Sequence, residues 1–294
     1  MYSDTARAGT PTSTAPTAPT WDPQQYLRHS GHRTRPFLDL LARIPELPTR
    51  PRTPSGGTPA ARIADLGCGP GNVTTLLADR WPDARITGFD LSPEMLHRAE
   101  QEHAGPTPGG GSLDFQHADL ASWLPDRPYD LIVSNAALQW VPSHPGSFGA
   151  WINGLRPGGT FAFQIPGNFT APSHALLAEL CDTPRWRARL AGHGARYVHL
   201  LEPAEYLARL TELGCAVDVW ETTYHQLLQG PDPVLDWVKG TALRPVLTAL
   251  GDDEDAVHAF LAEYRDRLRE AYPPGPRGTV FPFRRIFAVA RKEA

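Results

Sequence analysis

The chain has 294 residues, enough to bury a sizeable core as one large domain or as one domain carrying an insertion. Its net charge of −4 argues against a global field that would draw it to nucleic acid or to an anionic membrane, so any selectivity for anions has to be local. Cys68, Cys181 and Cys215 are odd in number and widely spaced, which argues against a disulfide framework or a zinc site and points to a reducing, cytoplasmic setting.

Residues 1–20, rich in Thr, Pro and Ala and without an apolar run of signal-peptide length, read as a disordered tail, and no stretch of the chain reads as transmembrane. Residues 21–60 hold a helix from Pro23 through Ile44, with Tyr26, Arg33 and Arg35 along it, and then a proline-rich connector from Pro45 to Pro59. Repeated βα winding follows. Strands are expected at 62–66, 85–90, 113–119, 129–134 and 160–165, with helices at 72–80, from Ser92-Pro93-Glu94 onward, and at 148–155. A flexible link spans Gly105 to Ser112. The apolar density of 160–165 suits a sheet covered on both faces. Beyond it, 171–213 reads as mostly helical, Cys215 to Leu228 as a long strand, 231–272 as helical and Arg285 to Arg291 as a last strand paired with the long one. The fold class is therefore α/β, with a core of residues 61–230 and 279–294 and a helical insertion at 231–278. If the long strand runs parallel to the first five, that insertion emerges above the ligand edge of the sheet as a substrate cap; the plainer reading is a helical pair that only covers apolar surface.

The stretch Ala64-Asp65-Leu66-Gly67-Cys68-Gly69-Pro70-Gly71-Asn72 joins an apolar strand to a glycine turn, where backbone meets a ligand. The dinucleotide fingerprint would need glycine at 72, where this chain has Asn72. Asp65 precedes the turn and Asp90 closes the next strand at an ordinary βαβ interval. Two acids favour S-adenosylmethionine over NAD: a pyrophosphate wants bare amides at a helix N-terminus, whereas an ammonium, a sulfonium and a ribose are better served by carboxylates. Gly67, Gly69 and Gly71 then form the cradle, and Asp90 accepts from the ribose diol. Asp119 accepts from the adenine amine, and Leu91 and Leu120 sandwich the ring. Asp65 serves the methionine ammonium, directly or through water, or else holds the glycine turn through its amides. Asn135, after the fourth strand, meets the methionine end. The segment Ser134-Asn135-Ala136-Ala137-Leu138-Gln139-Trp140 has neither the Pro-Pro-aromatic run of amino-methylating nucleic-acid enzymes nor the Pro-Cys nucleophile of cytosine C5 enzymes, which argues against a flipped base as substrate.

At this point the chain resembles the trans-aconitate 2-methyltransferase family, within the class I S-adenosylmethionine-dependent methyltransferases, over most of residues 21–294. The specific part of the resemblance comprises Trp21-Asp22-Pro23 with Tyr26, Arg35-Pro36, Asn135 through Trp140, Thr222-Thr223-Tyr224, Asp236-Trp237-Val238 with Leu243-Arg244-Pro245, and Arg285 through Arg291. It departs from the family in its long tail, proline-rich connector and Gly109-Gly110-Gly111 link, all loop sites. The resemblance implies a Rossmann-like sheet, mostly parallel with an antiparallel last strand. It also implies methyl transfer to a carboxylate of trans-aconitate, giving a monomethyl ester and S-adenosylhomocysteine.

Such an acceptor is already ionised near neutral pH, so no general base is needed and no residue is assigned as catalytic. The helical spacing of His29 and His32 would suit a metal, but no third ligand accompanies them and no metal is expected. A small tricarboxylate calls for guanidinium groups, because a planar fork matches a carboxylate and keeps its charge when desolvated. Arg35, Arg244 and Arg285 fit best, although the chain's 26 arginines against two lysines make arginine its ordinary surface cation. Tyr26, Gln139 and Tyr224 are candidate donors to acceptor carboxylates, and Trp140 and Trp237 candidate walls. From the residues alone, another small acid or a biosynthetic hydroxyl as acceptor, or a protein that holds the cofactor without turnover, stay open.

Overall fold

The computed structural model describes residues 30–48, 59–194 and 200–293. In chain order the elements are α1 (Ser30–Arg43), β1 (Arg62–Leu66), α2 (Thr75–Arg80), β2 (Arg85–Asp90), α3 (Pro93–His103), β3 (Gly105–Pro106), β4 (Ser112–His117) and β5 (Tyr129–Asn135). A 3-10 turn at Leu138–Trp140, α4 (His144–Asn153), β6 (Leu155–Pro166), α5 (Pro172–Cys181), α6 (Arg187–Leu190) and α7 (Pro203–Glu212) come next. The chain closes with β7 (Cys215–Leu228), α8 (Pro233–Lys239), α9 (Arg244–Leu250), α10 (Glu254–Ala271) and β8 (Thr279–Lys292). Tyr26 and His29 lie outside the described residues, as does the start of the helix read from Pro23.

The strands form one sheet in the order β3-β4-β2-β1-β5-β6-β8-β7. Strands β4, β2, β1, β5 and β6 are mutually parallel, while β8 runs antiparallel to both β6 and β7. The strand order reverses between β1 and β5, and a crevice at the carboxyl ends of the strands beside such a reversal is where ligands bind. β7 therefore points the same way as the parallel strands, and its far end reaches the same edge.

Period-two alternation divides the core into two halves. Ile63, Leu131, Val133, Ala162, Phe287 and Val289 face α1, α2 and α3, against Phe37, Leu40, Leu77 and Leu96. Ala64, Ile132, Phe161, Phe163 and Ala288 face α4 and α7, against Phe148, Trp151 and Tyr206. A third apolar cluster joins α5, α6 and α8–α10 around the fully buried Trp237 and Phe260, with Phe281 and Phe283 of β8 beneath. Ser173, in the first turn of α5, is held between two tyrosines of the helical layer: its N–H donates to Tyr272 Oη at 3.0 Å, and its carbonyl accepts from Tyr264 Oη.

Several element ends differ from the sequence reading, each for a local reason. The helix read at 72–80 starts only at Thr75, because left-handed backbone at Gly67, Gly69 and Gly71 winds the chain before the helix begins. The strand read to 119 stops at His117, and the Asp119 carboxylate accepts from the Ala121 N–H at 2.9 Å in a side-chain turn. The Gly105 to Ser112 link contains an antiparallel step, with Gly105 opposite Leu113 and Pro106 opposite Ser112. The last strand begins at Thr279 rather than Arg285, since β7 pairs with it over its whole length. Residues 279–284 have no partner on β6 and form a two-stranded ladder that projects beyond the sheet toward the helices.

Arg80 ties α1 to α2. Its Nη2 donates to the Ile44 carbonyl at 2.7 Å and its Nη1 to that of Leu41, so the orphan carbonyls at the end of α1 are closed by a cation. Arg80→Ala is expected to cost about 1.5–3 kcal/mol, the range for hydrogen bonds to a charged group. The measurement is a urea titration, in which the midpoint should fall with the slope unchanged.

Candidate functional site

The turn after β1 is built for close approach. The N–H groups of Gly67 and Cys68 both donate to the Phe89 carbonyl, at 2.7 and 3.0 Å, which folds the turn over the end of β2. A Cβ on Gly67 would sit 2.2 Å from Ala137 Cβ, so the turns after β1 and β5 interlock there and no side chain fits. Gly69, with φ of +56°, has nothing within 4 Å of such a Cβ and faces open space. Its N–H donates to Asp90 Oδ2 at 2.9 Å, and Ser92 N–H donates to Oδ1 at 2.9 Å. One carboxylate thus fixes the loops after β1 and β2 together. Burial pushes Asp90 above the ordinary carboxylate range, opposed by the amides of Ser92, Gly69 and Leu91. Each of its oxygens keeps a lone pair for a further donor.

Asp65 is fully buried one strand over. Its Oδ2 accepts from Thr74 Oγ1 at 2.8 Å, while its Oδ1 has no partner among the described residues. It does not bond the turn amides; Asp90 does. Burial, followed by the opposing Thr74 hydrogen bond and the nearby Asp90 charge, leaves the Asp65 carboxyl raised to about 7. A buried acceptor of this kind gains most from a cation placed beside it.

Leu120 is buried, its Cδ1 3.7 Å from the place a Gly67 Cβ would take, and Leu91, just past β2, is 47% exposed. Asp119 is exposed at the end of the β4 segment, with one oxygen committed to the Ala121 amide. Asp65 of β1, Asp90 of β2 and Asp119 just past β4 therefore stand along one side of the strand-order reversal.

Across the reversal, the turn after β5 has left-handed backbone at Ala136, φ 54°, a conformation unfavourable for a residue with a Cβ. Its N–H donates to the Gln164 carbonyl at 2.8 Å, and its own carbonyl accepts from Gln139 Nε2 at 2.6 Å. Gln139 Oε1 is buried without a partner among the described residues. Asn135 Oδ1 accepts from Gln164 Nε2, and Gln164 Oε1 accepts from Arg285 Nη1 at 3.2 Å. Arg285 is only 5% exposed, and its guanidinium lies over the Phe283 ring at 4.6 Å.

Tyr224 is two residues along β7 from Thr222, the partner of Arg285 in the ladder. The Arg35 guanidinium sits 5.3 Å from the centre of its ring. The phenol's single proton is given to Asp39 Oδ2 at 2.6 Å, and burial together with Asp39 raises the hydroxyl above its ordinary range. Arg35 Nε is 4.0 Å from the same Asp39 oxygen. The structure thus brings Arg35, Tyr224 and Arg285 together and adds Asp39. Arg244 heads α9 in the helical layer, and no ion pair of its guanidinium occurs among the described residues. Trp237 packs edge-on to Phe281 at 5.8 Å and against Phe283 as apolar wall, and Trp140, half-buried, ends the 3-10 turn.

Sequence reasoning passed over Gln164 and Asp39. Gln164 carried a signal: it is a single amide in the apolar run Phe161-Ala162-Phe163-Gln164-Ile165 of a strand expected to be covered on both faces. Asp39 carried little, since an acid four residues after an arginine on a helix is an ordinary surface pair.

Residues 63–159 match the methyltransferase domain family. A trans-aconitate 2-methyltransferase from Streptomyces avermitilis is 64% identical over 276 residues, covering 94% of this chain and 98% of its own length. The protein of the same name from Rhodococcus jostii is 45% identical over 273 residues, covering 92% of this chain and 99% of its own. The crystal structure of the YcgJ protein from Bacillus subtilis shares the fold, with a TM-score of 0.52 at 17% identity over 90% of this chain and 99% of that one. The chain belongs to the trans-aconitate 2-methyltransferase family.

Proposed function

We propose that this protein transfers a methyl group from S-adenosylmethionine to one carboxylate of trans-aconitate, releasing the monomethyl ester and S-adenosylhomocysteine. The observation that carries the acceptor half is Arg285, a guanidinium buried at the carboxyl edge of the sheet and joined through Gln164 to the turn after β5. A guanidinium at a ligand edge presents several donors, and its planar fork suits a carboxylate.

The residues fit the cofactor. Asp65 Oδ1 is an unmet buried acceptor for the ammonium, Asp90 keeps acceptor capacity for the ribose, and the bare Gly69 leaves room for close approach. Leu91 and Leu120 flank the adenine position, and Asp119 takes the exocyclic amine. When bound, the cofactor supplies an electrophilic methyl on a sulfonium. The chain's own residues align the acceptor and exclude water. Arg285, with Arg35 beside Tyr224 and Arg244 from the helical layer at 231–278, hold carboxylates in place so that one oxygen lies in line with the methyl. Transfer breaks a carbon–sulfur bond, forms a carbon–oxygen bond and erases one positive and one negative charge, which a pocket poor in water favours. No proton moves, so no base is required.

A panel of di- and tricarboxylates assayed with S-adenosylmethionine tests the acceptor: trans-aconitate should give the highest kcat/KM, and absence of its methyl ester would refute the assignment. Asp90→Ala is expected to weaken S-adenosylhomocysteine binding strongly while Arg285→Ala raises the KM for trans-aconitate about tenfold or more, as loss of a charged hydrogen bond predicts. Calorimetry and steady-state kinetics on both variants separate the two effects. Because Asp65 is raised to about 7 without ligand, a cationic partner should drive off its proton. Binding of S-adenosylhomocysteine should therefore release a proton near pH 7 and weaken as pH falls below it. Calorimetry in buffers of different ionisation enthalpy reads that proton, and Asp65→Asn should abolish it.

A further inference from the structure

Gln164 is fully buried in an interior strand of a covered sheet, where an amide is costly unless both of its ends are bonded. Both are. Arginine has only donors, so the atom that meets Arg285 Nη1 has to be Oε1. The other end is then the donor Nε2, and the atom that it meets on the next strand has to be Asn135 Oδ1. The charge on Arg285 thereby sets the orientation of two amides in series. Asn135 is left to offer ligands its Nδ2 hydrogens rather than its oxygen. The main chain of Gln164 acts on the same turn, since its carbonyl takes the Ala136 N–H at 2.8 Å and steadies that left-handed residue. Ala136 in turn holds Gln139 through its carbonyl.

We infer that Gln164 is a positioning residue for methyl transfer: it ties the acceptor-binding Arg285 to the cofactor-side Asn135 and fixes which face of the Asn135 amide the ligands meet. The inference rests on the acceptor reading above for the Arg285 end and on the cofactor site alone for the Asn135 end. Gln164 touches no reacting atom. Its effect passes through Arg285 on one side and the β5 turn on the other.

The test compares Gln164→Met, close in shape but unable to accept from Arg285 or donate to Asn135, with the parent enzyme. The KM for trans-aconitate should rise about tenfold and the S-adenosylhomocysteine Kd about fivefold; the thermal midpoint should fall as well, because Arg285 and Asn135 lose a buried partner, so both constants are read at a temperature where the variant is fully folded. Gln164→Glu presents acceptors at both ends and sets a negative charge against Arg285, so its KM should exceed that of Gln164→Met. In an Arg285→Met background, adding Gln164→Met should change the KM less than about twofold, since the two act as a unit. A side chain that serves packing alone would give additive effects, or parent-like KM and Kd in the Met variant, and either result overturns the inference. If the parent fails to methylate trans-aconitate, the acceptor reading falls by itself. The Kd comparison then decides the Asn135 end: a weakened Kd upholds it and an unchanged Kd removes it.

Discussion

A strand covered on both faces leaves polar side chains no exit except at its end, and residues two apart share a face. Asp65 shares parity with Ile63, Asn135 with Val133, Gln164 with Ala162, and Arg285 with Phe287, and all four apolar partners face α1 and its neighbours. The register pairs Asn135 with Gln164 and sets Arg285 opposite Pro166, the last residue of β6. Four polar groups from four strands therefore arrive at one edge on one face with no choice in the matter. Everything the site does depends on this parity. A one-residue slip of β8 would carry Arg285 to the α4 face, among Phe148 and Tyr206.

The edge is also sorted by charge. Carboxylates stand at the ends of β1 and β2 and just past β4, and guanidinium groups gather at β8 and α1 with the Asp39 carboxylate among them, the neutral amides of Asn135, Gln139 and Gln164 lying between. The cofactor brings positive charge and the acceptor negative charge, so each half of the crevice favours one reactant and opposes the other. The turn after β5 lies between the two halves, and its amides are uncharged.

Much of this was legible in the residues. The glycine turn, the two acids and the βα rhythm depend on local chemistry, in which a turn needs φ above zero and a strand end needs an acceptor, and local chemistry is written in order along the chain. The extent of β8 was not, because residues 279–284 are strand only through pairing with β7, and nothing in Thr279-Val280-Phe281-Pro282 announces a partner fifty residues earlier. Nor does the sequence disclose that Tyr224 gives its proton to Asp39, since the two lie 185 positions apart. Gln164 fell between the two cases. Its burial was predictable from the strand, but its bonding partners follow from strand order, which periodicity does not disclose.

The ladder that projects beyond β6 ends at the pair Leu228 and Thr279, and every residue of α8, α9 and α10 is strung between those two positions. Arg285 is indexed against Thr222 and Pro166 by hydrogen bonds that lie wholly on the sheet side of that pair. The helical layer is thus joined to the sheet by the chain at two points and docked on α5 and α6 by Trp237, Phe260, Tyr264 and Tyr272, so its residues can change together with that packing while the guanidinium keeps its address. Lineages that change the acceptor would then be expected to rewrite the segment between Leu228 and Thr279 first and to leave the cofactor edge as it is.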